Sequence, residues 1–203
     1  MSGASIGRRS VLGGASLLMT SALGAMAADK PKVAIKTNHG TIIVELEAQR
    51  APITSANFLH YVDAKLYDNG SFYRASRTPG APKDGTIVGG PSVRVHRFAP
   101  IAHESTQMTG IKHKTGTISL GRYAPGSATA DFFICASPEP YLDAHPGARG
   151  DNLGFAAFGQ VVEGMNVVRT ILALPTPGKS AFPDMKGQWL EPTVPIYSMR
   201  RSA

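Results

Sequence analysis

Cysteine is all but missing from this chain. Its 203 residues include a single one, Cys135, so no disulfide can join two of its parts and packing alone has to hold the fold. That cysteine lies in the apolar run Phe132-Phe133-Ile134-Cys135, where a small buried hydrophobe is the ordinary reading and a nucleophile the exceptional one. Aromatic residues are few, at 7%, and none is interleaved with a basic block as single-strand nucleic-acid binding requires. The basic residues sit in small groups, Arg94/Arg97, Lys112/Lys114 and Arg200/Arg201. The formal net charge is +7, and Arg8 and Arg9 near the N-terminus supply two of those charges, so the rest carries about +5, a mild surface excess. No nucleic-acid partner is expected.

Several motifs are absent as well. There is no G-x-S-x-G elbow for a serine hydrolase. Gly178-Lys179-Ser180 resembles the end of a phosphate loop, but Ala173 stands where the earlier glycine belongs, and Pro175 and Pro177 break the loop. His96, His103 and His113 lack helical i, i+4 spacing and thiolate partners, so neither a zinc site nor any other metal or cofactor is expected. His103-Glu104 invites an acid-base reading, yet neighbours on a strand face opposite ways.

What is present points to an exported globular domain. A composition of 42% hydrophobic and 17% charged residues suits a soluble protein with one core. The 22 glycines and 15 prolines favour short strands and turns over a helical bundle. Residues 1–27 read as a twin-arginine-like signal peptide: the Arg8-Arg9 pair, the weakly apolar stretch Val11 to Met26, and Ala25-Met26-Ala27 as an A-x-A cleavage site. That stretch is short and glycine-containing for a spanning helix, so stable membrane insertion is not expected. Processing after Ala27 would leave one domain, 28–203, in the periplasm or otherwise exported, and as a monomer.

Within that domain, Val33 to Thr37 and Thr41 to Leu46 alternate across Asn38-His39-Gly40 and predict a hairpin. Pro52 suits a first helical turn, with Ala56, Phe58, Leu59, Val62 and Leu66 forming one apolar stripe before Asp68-Asn69-Gly70. From Ser71 to Phe98 short strands are expected around an irregular loop from Thr78 to Gly85. Thr117 to Gly121, Phe132 to Cys135 and Phe155 to Val162 read as further strands. Met165, Val168, Ile171 and Leu172 mark a second helix ending before Pro175, and Thr193 to Met199 can close the sheet. The pattern as a whole suggests a mostly antiparallel barrel or sandwich with helices over its open ends.

Several segments then resemble the cyclophilin family, in order and over nearly the whole domain. They are Ala51-Pro52-Ile53-Thr54-Ser55-Ala56-Asn57-Phe58, Phe72-Tyr73-Arg74 for the family's F-H-R strand, and Val88-Gly89-Gly90 for Q-G-G. Gly116-Thr117-Ile118-Ser119-Leu120, Asp131-Phe132-Phe133-Ile134, Tyr141-Leu142-Asp143 and Phe158-Gly159-Gln160-Val161-Val162-Glu163-Gly164-Met165 complete the set. The resemblance implies a mainly β fold, a closed antiparallel barrel of about eight strands capped by two α-helices. It also implies a peptidyl-prolyl cis-trans isomerase acting on proline-containing polypeptides.

By the same resemblance Arg74 is the catalytic residue, and Phe133, Leu142, Phe155 and Tyr141 line the proline pocket. Leu120 and Gly121 form an edge that meets the peptide backbone. Val88 and Asp131 stand at substrate-binding positions where the family has glutamines, and Asp131 is placed to pair with Arg74. Phe155 replaces the common histidine, Tyr141 the common tryptophan, and Arg122 lies near a usual asparagine. The family's P-G-F-M run is missing, so Ile87 or a loop residue has to substitute for it. Two readings follow, an isomerase assisting the folding of exported proteins and a cyclophilin-fold peptide-binding or chaperone module with little turnover. A third, a structural envelope protein, would have no open peptide groove.

Overall fold

The computed structural model describes residues 1, 3, 30–180 and 182–202. Apart from Met1 and Gly3, the expected leader, with Arg8-Arg9 and the Ala25-Met26-Ala27 site, lies outside the described residues. The first hairpin forms as the alternation predicts. Strand β1 (Lys32–Thr37) pairs with β2 (Gly40–Leu46), with Val33 opposite Val44 and Ile35 opposite Ile42. All four of those side chains are fully buried, because residues two apart on a strand share a face.

Helix α1 (Pro52–Asp63) starts at its proline, yet Ala51 before it contributes no side-chain cap. Glu104 caps it from a distance: its carboxylate accepts from Ile53 N at 3.1 Å and Thr54 N at 2.7 Å. A buried carboxylate at the positive end of a helix satisfies orphan donors and the dipole together, so Glu104 holds the helix and the acid-base reading of His103-Glu104 lapses. The buried face runs through Ser55, Phe58, Leu59 and Val62; Ala56 is exposed, and Leu66 lies beyond the helix end, packed partly against the core. Phe58 reaches the barrel interior, where its ring lies 5.7 Å from Phe132 and 5.1 Å from Phe158. Each fully buried Phe contributes about 1.5 to 3 kcal/mol.

Strands β3 (Gly70–Thr78) and β4 (Ala81–Gly90) correct the expectation of an irregular loop from Thr78 to Gly85. Thr78 pairs with Ala81 across Pro79-Gly80, and Arg77 pairs with Gly85, so only Pro82, Lys83 and Asp84 bulge out. A proline in a bulge leaves no ladder bond unmade. Strands β5 (Thr117–Leu120), β6 (Phe132–Cys135) and β7 (Ala156–Glu163) match the expected apolar runs. The four-residue helix α2 (Thr106–Thr109) was not anticipated; α3 (Met165–Ala173) buries Val167, Val168, Ile171 and Leu172.

Strand β8 (Trp189–Ser202) is twice the length expected from Thr193 to Met199. Its prolines are accommodated because Pro195 pairs with β3 beyond the end of β1, and Pro192 falls where the register with β3 shifts. By pairing with both β1 and β3 it closes the barrel in the order β1-β2-β7-β5-β6-β4-β3-β8. α1 packs against β8 and β7, and α3 against β4, β2 and β3. Among the described residues no helix is long and apolar enough to cross a membrane.

Candidate active site

Strand register builds the site before any side chain is considered. Trp189, Arg74, Val88, Phe133 and Ser119 form one row across β8, β3, β4, β6 and β5. Paired residues share a face, and strands lie about 4.8 Å apart, so Arg74 and Phe133 are held about 10 Å apart with Val88 between them. The row faces outward at Arg74 because of a bulge. The registers of β3 with β4 and with β8 both shift between Phe72 and Arg74, which leaves Phe72 and Ala75 fully buried while Tyr73 and Arg74 both line the outer recess. An extra residue in one strand re-aims its neighbours in this way.

The recess has a volume of about 600 Å³. Its walls are Tyr141 and Leu142 on the 3-10 turn Pro140–Leu142, Phe155 just before β7, and Gly121 and Arg122 after β5. Phe133 meets Phe155 edge to face at 5.3 Å and stacks at 5.7 Å on His113 behind it. His113 is itself fixed: its Nδ1 lies 2.8 Å from Asp143 Oδ1 and its Nε2 3.0 Å from Ser119 Oγ. The carboxylate requires a proton on Nδ1, so Nε2 accepts from the serine hydroxyl. Burial lowers the proton affinity of this imidazole, and the Asp143 carboxylate only partly opposes that.

Three guanidiniums border the recess, and two are paired with carboxylates. Arg97 bonds Asp131 in a fork, with Nη2 at 3.3 Å from Oδ1, and this contact raises its proton affinity. Arg122 binds Asp151 at 2.5 and 2.8 Å, donates to Gly154 O at 2.9 Å, and lies 5.2 Å from the Phe155 ring, which bolsters that wall. Arg74 differs. Its Nε donates to Gln188 Oε1 at 2.7 Å, and among the described residues its two terminal nitrogens meet no hydrogen-bond partner. Burial lowers its proton affinity, with Tyr73 and Tyr141 opposing, yet a guanidinium so placed stays charged at neutral pH.

Residues 32–200 match the family described as cyclophilin type peptidyl-prolyl cis-trans isomerase/CLD. The chain belongs to the cyclophilin family. It is 35% identical to a peptidyl-prolyl cis-trans isomerase of Acinetobacter baylyi over 158 residues, 76% of this chain and 78% of the relative. It is 33% identical to peptidyl-prolyl cis-trans isomerase B of Escherichia coli over 71% of this chain and 85% of that protein. The same fold occurs in a Cryptosporidium parvum cyclophilin crystallised in the presence of the dipeptide Ala-Pro, with a TM-score of 0.62, 20% identity, and coverage of 85% of this chain and 99% of that one. With the family comes the enzyme class, peptidyl-prolyl cis-trans isomerase.

In this cyclophilin most of the expected site residues converge: Arg74, Val88, Gly121, Asp131, Phe133, Tyr141, Leu142 and Phe155 all line the recess. Three expectations need correction. Leu120 is fully buried, pairing with Phe132 and Ala156 on the core side, so Gly121 alone of that pair reaches the recess. Asp131 pairs with Arg97 and not with Arg74, because the loop after β4 brings Arg97 to it while Arg74 turns toward β8. A Cβ at Gly90 would stand 2.1 Å from Asp131 Oδ1, so glycine there makes room for that ion pair. Ile87 is a fully buried core residue, one position out of phase with Val88, and cannot stand in for the missing P-G-F-M run.

Phe182 and Met185, from the connection between α3 and β8, and Trp189, the first residue of β8, line that side instead. Neither these nor Tyr73, Arg97 and Gln188 were anticipated. Trp189, as the single tryptophan, was the one signal available.

Proposed function

We propose that this cyclophilin accelerates rotation about X-Pro bonds in exported polypeptides, with Arg74 as the catalytic residue and Phe133, Leu142, Phe155 and Tyr141 receiving the proline and its neighbour. Rotation about a peptide bond has a barrier of about 18 to 20 kcal/mol from C-N resonance. Proline makes the cis isomer accessible without making exchange fast. In the twisted state the proline nitrogen regains its lone pair and becomes an acceptor. A fixed guanidinium then stabilises the twisted amide more than either planar form, which is the condition for catalysis. No covalent step and no cofactor are needed.

The observation that carries the reading is that Arg74 lines the recess anchored through Nε, with no hydrogen-bond partner on its two terminal nitrogens among the described residues. Such a group has donors to spare for a substrate that lacks its planar resonance. In a protease-free assay of X-Pro peptide exchange, the mature chain is expected to speed isomerisation, and Arg74→Ala to lower kcat/KM about a hundredfold. Equal rates for the two proteins would remove Arg74 from the mechanism. Export is tested separately, by N-terminal sequencing of the periplasmic fraction, where a chain beginning near Ala28 is expected and a retained leader would refute it.

One observation favours the peptide-binding reading. Val88 offers no side-chain hydrogen bond and Asp131 is occupied by Arg97, so fewer side chains grip the substrate backbone than the two glutamines of the family pattern would. Binding of unfolded chains without measurable exchange would select it. The open recess counts against the structural-protein reading.

A further inference from the structure

The partner of Arg74 comes from a segment outside the family pattern quoted above. We propose that Gln188 is the positioning residue for Arg74, orienting the guanidinium from the β8 side in place of any side chain on β4. This rests on the assignment of Arg74 as the catalytic residue.

The register leaves Arg74 two cross-strand neighbours, Val88 on β4 and Trp189 on β8. Valine has nothing to offer a guanidinium. Gln188, adjacent to Trp189, turns its amide oxygen to Arg74 Nε at 2.7 Å, and its Nε2 donates to Asp184 O at 3.1 Å. The orientation of that amide is set by chemistry: a guanidinium only donates, so the oxygen must face it, and the NH2 end must face the carbonyl. The backbone of Gln188 is pinned as well. Its carbonyl accepts from Ala75 N at 2.8 Å, and its own N–H donates to Met185 O at 3.3 Å across the 3-10 turn Pro183–Met185. The preceding residue is tied by Thr176 Oγ1 to Gly187 O at 2.7 Å, and Thr176 is held by Arg77 Nη1 at 3.2 Å.

A neutral amide has an advantage over a carboxylate in this place. It fixes the direction of the guanidinium while leaving the full positive charge for the twisted amide, whereas an ion pair of the kind Asp131 makes with Arg97 would compete with substrate. Gln188 bonds Arg74 and is not among the residues that line the recess, so its effect passes through Arg74.

A double-mutant cycle on the full-length chain tests this. Gln188→Ala is expected to lower kcat/KM for an X-Pro peptide about tenfold, mainly in kcat, with the melting temperature near that of the parent. In an Arg74→Ala background the same substitution should change the rate by less than about twofold. An unchanged rate for Gln188→Ala in the parent, or an equal loss in both backgrounds, would overturn the proposal while leaving Arg74 in its role. If Arg74→Ala itself keeps the parental rate, the catalytic assignment fails first and Gln188 with it.

Discussion

The two sides of the recess are made differently. One side is barrel wall: Val88 and Phe133 lie in a sheet row fixed by hydrogen-bond register, and Phe133 is held from behind by His113, Ser119 and Asp143. The other side is a connection with a single 3-10 turn, which brings Phe182, Met185 and Gln188 to Arg74 through side-chain and turn contacts. The wall is stiff because each residue in it is also part of the fold. The connection contributes to the site without contributing much to the core, since Phe182 is 52% exposed. Stability and activity should therefore separate on one side and not on the other.

The largest effect is expected on the wall. Phe133 is 6% exposed and wedged between His113 and Phe155, so Phe133→Ala should lose about 3 to 5 kcal/mol of unfolding free energy along with activity. Urea titration measures the first, and a loss below about 1 kcal/mol would show the wall to be no more integral than the connection. On the opposite side Phe182→Ala should lower kcat/KM about fivefold, from roughly 1 kcal/mol of lost apolar contact with the substrate. Its unfolding free energy should stay within about 0.5 kcal/mol of the parent. Matched losses of stability and activity in that variant would erase the contrast.

The smallest effect is a pH dependence confined to the wall. Burial makes His113 harder to protonate in the folded chain than in the unfolded one, where histidine titrates near 6.5. The unfolded state therefore takes up the proton first. The contribution of His113 is complete above pH 6.5 and declines as the pH falls below it. Asp143 and the Lys112 ammonium act on the same ring in opposite directions. Melting temperatures between pH 7.5 and 5 should fall for the parent and fall less for His113→Gln; parallel curves would locate the dependence elsewhere.

Much of the barrel could be read from the chain because alternation and helical spacing report burial directly. The pairs Val33/Val44 and Ile35/Ile42, the strands around Phe132 and Phe158, and the face of α3 all follow from that. Proline and glycine content misled over Thr78 to Gly85, since a proline such as Pro82 is harmless in a bulge and only the partner strand reveals one. Glu104 gave no sign of its role either, because it caps a helix some fifty residues earlier in the chain.

For the site the division falls between residue type and direction. The resemblance of ordered segments to the cyclophilin family was enough to nominate Arg74, Phe133, Leu142 and Phe155, which as isolated letters read as a surface charge and core residues. It could not say that Tyr73 is an extra residue in its strand, that Arg97 rather than Arg74 takes Asp131, or that the connection after α3 returns to supply Gln188. Those outcomes depend on which distant groups are brought within a few ångströms of each other, and the pairing of β4 with β6 and the closure of the barrel by β8 settle that.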